Sequence, residues 1–213
     1  MRGLAMSVAS PPDLEHASAQ DVLRYAVERH HPRLAVACSF QKEASVIMDM
    51  ALRIEPGTRF FTIDTGVLFD ETYATWRAAE RHYGIQVEHY DASRPEGEWT
   101  ANVCCSDFKV AALGRALEGA DAWVTGLRRE HSAERAGTSK LHWDERNGLW
   151  KVNPLADWSE RDVWRYIVDN DVPYNPLHDR GYDSIGCTPC TQPGQGRDGR
   201  WAGSAQTECG LHA

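Results

Sequence analysis

A chain of 213 residues is long enough for one α/β domain with a sizeable core, and its ordinary composition is that of a globular protein. Its 31 acidic against 23 basic side chains give a net charge of -8, which argues against a general nucleic-acid coat and means that any anionic ligand must be met by a local arginine cluster. Residues 1–12 hold no apolar run long enough for a signal peptide or a membrane span. The expected compartment is therefore the cytoplasm, where thiols stay reduced and paired cysteines point to metal or catalysis.

Taken in order, Asp13 to Arg29 reads as one amphipathic helix through Leu14, Val22, Leu23 and Val27, ended by His30-His31-Pro32. Leu34 to Cys38 is a short apolar run of the kind that forms a buried parallel strand. Ser39-Phe40-Gln41-Lys42-Glu43-Ala44-Ser45 follows and passes into a helical pattern with Val46, Ile47 and Met50. A strand, a polar turn and a helix N-terminus make an anion site, because backbone N–H groups and the helix dipole both face the turn. No Walker glycine pattern is present, and an ordinary capped helix would begin the same way.

Thr58 to Ile63 is the next strand and stops at Asp64-Thr65-Gly66, the edge where ligands of open α/β sheets bind. Asp64 and Thr65 can hydrogen-bond a ribose or base and Gly66 allows close backbone approach; a plain turn with a helix cap is the alternative. A helix over Asp70 to Tyr83, closed by Gly84, and a strand over Gln86 to Tyr90 come next. Arg94 to Thr100 reads as a loop and the residues from Cys105 to Leu117 as a helix, with Lys109 one turn beyond Cys105. The strand Ala120 to Thr125, centred on Ala122-Trp123-Val124, runs into a loop carrying Arg128, Arg129 and Arg135, which reads as a phosphate or sulfate clamp in preference to arginines paired internally with Glu130 and Glu134. Trp143 to Val152 is a hairpin with Asn147-Gly148 at its tip, and Ser159 caps a helix ending at Asn170. This alternation predicts an α/β fold with a mostly parallel sheet flanked by helices. The glycine-rich stretch from Thr191 to Ala213 lacks apolar periodicity and is expected to be mobile.

The six cysteines divide into groups. Cys187-Thr188-Pro189-Cys190 aims two sulfurs at one centre, a spacing shared by zinc and iron-sulfur sites. Adjacent Cys104 and Cys105 suit a broad 4Fe-4S cubane, whose separate irons accept neighbouring thiolates, better than one tetrahedral zinc; structural zinc is the runner-up. Lys109 is then either a cation beside that cluster or a solvated lysine. Cys209, close to Glu208 and His212 on a glycine-rich end, reads as a nucleophile, and Cys38 as a buried strand residue.

Together these residues resemble the adenylylsulfate (APS) reductases of the family that also holds the phosphoadenylylsulfate (PAPS) reductases. The resemblance rests on both cysteine pairs, Ile63-Asp64-Thr65-Gly66, the arginine loop and Glu208-Cys209-Gly210-Leu211-His212. It implies an ATP-pyrophosphatase-like (adenine nucleotide alpha hydrolase-like) domain over residues 1–190 that includes the iron-sulfur site, and a mobile tail over 191–213 carrying catalytic Cys209. It further implies a 4Fe-4S cluster on Cys104, Cys105, Cys187 and Cys190 with Lys109 beside it. The implied substrate contacts are Ser39, Phe40, Gln41, Lys42, Glu43, Ser45, Asp64, Thr65, Gly66, Arg128, Arg129, Ser132, Arg135 and His212. The expected reaction is reduction of APS to sulfite and AMP through an S-sulfocysteine, with thioredoxin or a glutaredoxin-like dithiol as donor, in sulfate assimilation and cysteine biosynthesis. Neither nucleic acid nor membrane is an expected partner, and a homo-oligomer is left open. PAPS reduction or dual specificity is the near alternative; an ATP pyrophosphatase or a redox-sensing iron-sulfur module is the distant one. Two departures from the family pattern bear on substrate preference: Gln206 stands where a lysine is frequent, and Lys42 and Glu43 charge a loop often rich in glycine and alanine.

Overall fold

The computed structural model describes residues 11–93, 107–201, 208 and 210–212. Cys104, Cys105 and Cys209 lie outside the described residues, so the roles expected of them receive no geometry. Among the described residues, five α-helices, α1 (Ala19–His30), α2 (Lys42–Ile54), α3 (Asp70–Tyr83), α4 (Asp107–Leu117) and α5 (Glu160–Asn170), alternate with six strands. These are β1 (Leu34–Ala37), β2 (Arg59–Asp64), β3 (Glu88–Asp91), β4 (Ala122–Val124), β5 (Leu141–Asp144) and β6 (Leu149–Val152). They form one sheet in the order β3-β2-β1-β4-β6-β5, parallel throughout except for the β5–β6 hairpin. Among the described residues, no helix is long and apolar enough to cross a membrane.

Alternation along each central strand builds two cores. Leu34, Val36, Phe60, Ala122 and Val124 face α1, α2 and α5, where Val22, Leu23, Val46, Ile47, Val163 and Ile167 meet them. Ala35, Phe61 and Trp123 face the other way, onto Leu113, Ala116 and Leu117 of α4. Burial on both faces is why these strands read as continuous apolar runs.

Most boundaries fall within a residue or two of the sequence expectation, and two that differ have a visible local cause. The first helix begins at Ala19, not Asp13, because the Ser18 hydroxyl accepts the Asp21 N–H at 3.1 Å and caps it there; Leu14 still packs on the core from the preceding turn. β3 begins at Glu88, since the Val87 N–H donates to the Glu80 carboxylate at 2.9 Å instead of to the ladder. The segment from Thr191 to Trp201, expected to open a mobile tail, is folded back on the cysteine turn: Thr191 pairs with Arg200, and buried Trp201 donates its N–H to the Cys190 carbonyl at 2.8 Å.

A buried carboxylate ties α2 to its neighbours. Asp49, 4% exposed, accepts from Tyr166 at 2.7 Å, Tyr83 at 3.2 Å and Arg53 at 2.7 Å. Removing it leaves two tyrosine hydroxyls without an acceptor, so Asp49→Ala should lower stability by about 2–4 kcal/mol in urea unfolding; a loss under about 0.5 kcal/mol would show that the network does not hold α2.

Candidate active site

Because β2 and β3 extend from one side of β1 while β4 lies on the other, the β1–β4 junction is the topological switch point of the sheet. A cavity of about 390 Å³ opens there. It is lined by Cys38 and Ser39 after β1, by Gly126 and Leu127 after β4, and by Cys187, Arg197 and Arg200 from the far end of the chain. That volume suits a small organic ligand.

The turn between β1 and α2 is built from charged side chains that are themselves satisfied. Ser39, Gln41, Lys42 and Glu43 line the cavity. Lys42, 2% exposed, donates to the Asp183 carbonyl at 2.9 Å and pairs with Glu160 at 3.0 Å; its backbone N–H donates to His178 Nε2 at 3.2 Å. Gln41 Oε1 accepts the Ile185 N–H at 2.7 Å. The turn is thus stitched to the segment that leads into Cys187. Phe40 adopts a left-handed φ of 54° and stacks on Trp76 at 5.6 Å, a backbone conformation that a bulky residue holds only where its surroundings enforce it. Ser45 is buried within α2 and is not a lining residue.

The three arginines expected to form a clamp are not brought to one place. Arg128, 3% exposed, donates Nε to Glu43 at 3.0 Å, Nη1 to Glu130 at 2.8 Å and Nη2 to Glu160 at 2.6 Å. It borders the cavity but spends its guanidinium on protein carboxylates. Arg129 turns away to Glu15 and to the Thr138 carbonyl. Arg135 faces the cavity and holds Glu208 through two hydrogen bonds of 2.7 and 2.8 Å. Ser132 joins two short turns and does not line the cavity. Gly126 is required by contact: a Cβ there would come within 2.9 Å of Glu43 Cβ.

The Asp64-Thr65-Gly66 turn, expected to face a ribose or base, serves its own backbone and the cysteine turn. Asp64 accepts from the Gly66 N–H at 2.8 Å and from Tyr73 at 2.7 Å. Thr65 Oγ1 lies 3.2 Å from Cys187 Sγ, and Gly66 holds a φ of 71°. Cys187 and Cys190 are both buried on one short 3₁₀ turn with Pro189 between them. Lys109, from α4, is buried and borders the same cavity as Cys187. Cys38 is buried as expected, and that burial pushes its thiol well above the ordinary range, leaving it a core residue.

The C-terminal residues enter the cavity. Leu211 and His212 line it, and the His212 ring stacks on Trp123 with centroids 5.8 Å apart. Burial first, then the charges of Lys151, Arg135 and Arg197, push the His212 pKa well below its ordinary value, so the ring is neutral at pH 7. Its Nδ1 is buried without a hydrogen-bond partner among the described residues.

With this geometry set out, the Phosphoadenosine phosphosulfate reductase domain family is found to match residues 33–193. The chain belongs to this family. It is an oxidoreductase of the APS/PAPS reductase type. The chain is 40% identical over 222 aligned residues to an adenosine 5'-phosphosulfate reductase from Bacillus pumilus, covering 97% of this chain and 95% of that one. Among solved structures it is similar to a phosphoadenylyl-sulfate (PAPS) reductase from Candida auris in a phosphate complex, with 32% identity, a TM-score of 0.72, and coverage of 84% of this chain and 94% of that one. A Candida glabrata FMN adenylyltransferase shares the fold alone, at 16% identity and a TM-score of 0.64, covering 83% of this chain and 64% of that one. The architecture is that of the adenine nucleotide alpha hydrolase-like fold.

The sequence reading missed two cavity-lining arginines of this reductase, Arg197 and Arg200. Their guanidinium carbons lie 5.1 and 4.4 Å from the ring centroid of buried Trp201, a stacking that fixes them beside the cavity. The signal was the Arg197-Asp198-Gly199-Arg200-Trp201 run, hidden in a stretch read only for its glycines.

The buried network predicts a pH dependence. Burial by itself would raise the Glu43 carboxyl, but the His131 hydrogen bond and the charges of Lys42 and Arg128 hold it well below its usual 4.5. A folded pKa below the unfolded one makes the stabilisation complete above about pH 4.5, and it is lost as pH falls further. Glu43→Gln should therefore cost about 3 kcal/mol at pH 7, with the gap to the parent narrowing below pH 4.5 in urea titrations. A gap independent of pH would remove Glu43 from the account.

Proposed function

We propose that this reductase cleaves APS to sulfite and AMP, with Cys209 as nucleophile. The observation that carries the reading is the seating of Leu211 and His212 in a cavity at the sheet's switch point, with Glu208 held by Arg135 and Arg197 at its wall. On one side of Cys209 in sequence, Leu211 and His212 line an arginine-lined cavity of nucleotide scale, and on the other Glu208 is bound to two of its lining arginines. Relatives at 40% and 39% identity named adenosine 5'-phosphosulfate reductase support APS as substrate, while another at 39% carries the name phosphoadenosine 5'-phosphosulfate reductase and keeps PAPS as the competing substrate.

The Cys209 thiolate attacks the sulfur of bound APS, an S–S bond forms, the bond from sulfur to the phosphate oxygen breaks, and AMP leaves with the electron pair. Arginine guanidinium groups around the cavity offset the oxyanion charge at both ends of the breaking bond. One thiolate of thioredoxin or a glutaredoxin-like dithiol then attacks Cys209 Sγ and expels sulfite. The second thiol resolves the mixed disulfide, so two thiols are oxidised as one sulfur(VI) is reduced to sulfur(IV). The reducing cytoplasm is the compartment that supplies such a donor, in sulfate assimilation.

Cys104, Cys105, Cys187 and Cys190 are proposed to hold a 4Fe-4S cluster. The described half of the set fits: two buried sulfurs share one turn, and Thr65 Oγ1 is within hydrogen-bonding distance of Cys187 Sγ, as metal-bound thiolates commonly require. When bound, the cluster supplies a fixed charge at the cavity wall that Lys109 partly offsets, and no electron of the reaction is assigned to it.

The test couples activity to analysis. Anaerobically purified protein should contain about four irons and four sulfides per chain, and should release sulfite from APS faster than from PAPS. Cys209→Ser should abolish sulfite release and leave the iron content intact. Sulfite production by Cys209→Ser would refute the nucleophile; zinc without sulfide would return the four cysteines to a structural site, and a preference for PAPS would reassign the substrate.

A further inference from the structure

We propose that Glu208 is the latch that positions Cys209, and that Arg135 serves the tail rather than the substrate. This rests on the reading of Cys209 as nucleophile and assigns the neighbouring acid a job of its own.

Arg135 presents its two-toothed face, Nε and Nη2, to the two oxygens of Glu208 at 2.7 and 2.8 Å, and Arg197 Nη2 adds a third contact at 3.2 Å. Paired guanidinium–carboxylate bonds of this kind are short and directional, which fixes orientation as well as position. Side chains of Arg135 and Glu208 are only 10% and 17% exposed, so solvent screening of the pair is limited. The latch is braced from behind. His131 Nδ1 accepts the Arg128 N–H at 3.3 Å, which assigns the ring proton to Nε2, and Nε2 donates to Glu43 at 3.0 Å. The same Nδ1 faces Arg135 Nη1 at 3.1 Å. A continuous set of hydrogen bonds thus runs from the α2 turn, through Glu43, His131 and Arg135, to Glu208.

Two consequences follow. Cys209 is the next residue in the chain, and adjacent Cα atoms are about 3.8 Å apart, so holding Glu208 limits where the thiol can be delivered. The cavity keeps about 390 Å³ with Leu211 and His212 already in its wall, so a docked tail leaves room for a nucleotide. Arg135 in that state has given its bidentate face to Glu208. Arg200, whose Nε is buried without a hydrogen-bond partner among the described residues, retains more capacity for a substrate oxyanion.

The experiment compares Glu208→Gln, Glu208→Asp, Arg135→Lys and the Glu208→Gln/Arg135→Lys double variant in the full chain with its iron content verified. Formation of the S-sulfocysteine adduct from APS, without dithiol, is followed by intact mass, and Cys209 alkylation is timed with AMP present. Glu208→Gln and Arg135→Lys should each slow adduct formation about 10- to 100-fold and speed alkylation, Glu208→Asp should recover part of both, and the double variant should be no slower than the slower single. APS affinity, measured in the Cys209→Ser background to prevent turnover, should stay within about threefold of the parent for each. The latch is overturned if Glu208→Gln keeps the parental adduct and alkylation rates, if the two losses multiply in the double variant, or if Arg135→Lys weakens APS binding more than tenfold while Glu208→Gln does not. Continued sulfite production by Cys209→Ser alone would instead bring down the nucleophile reading, so the two failures are distinct.

Discussion

Arg128 is a guanidinium at 3% exposure, and its burial sets a condition that the surrounding elements must meet. A charge taken that far from water costs several kcal/mol unless opposite charges and hydrogen bonds surround it. Glu43 from the first turn of α2, Glu130 from the loop after β4, and Glu160 from the first turn of α5 supply them. Lys42, equally buried, shares Glu160 and adds the Asp183 carbonyl. Three elements far apart in the chain are held in register by these pairs. The floor of the cavity is therefore preorganised by ions that are paired with one another.

The cysteine side depends on the same framework. Gln41 and Lys42 bind the segment through Asp183 and Ile185, which runs directly into Cys187. From the other flank, Thr65 approaches the Cys187 sulfur and the Val67 carbonyl accepts the Thr188 N–H. Trp201 closes the arrangement from below, bonding to Cys190 while carrying Arg197 and Arg200 on its ring. A displacement of the α2 turn would consequently be felt at the cysteines, and movement of the cysteine turn would be felt at the cavity arginines.

Most of the scaffold was legible in the residues. The runs at Leu34, Thr58 and Ala122 had to be buried strands because both of their faces are apolar, and Gly84, Asn147-Gly148 and Ser159 marked ends that local backbone chemistry alone dictates. The cavity was legible as a place, since each polar turn follows a strand. Its wiring was not. Arg128 and Glu43 are 85 positions apart, and His131 and Glu43 are 88 apart. The loop sequence therefore looks like a free arginine clamp when one of its members is neutralised inside the fold and another is turned to Glu15.

By itself, the sequence determined the alternating α/β architecture, and it supplied, as proposals, the two cysteine pairs as a shared centre and the terminal cysteine as the reactive one. Those conclusions depend on periodicity, spacing and the chemistry of single side chains. Tertiary structure alone decided which charges face the cavity and which are consumed within it, that Thr65 lies against Cys187, and that Arg135 meets Glu208. The reason is electrostatic: a charged side chain's role is set by the partner that offsets its desolvation, and that partner is chosen by folding, not by proximity in the chain.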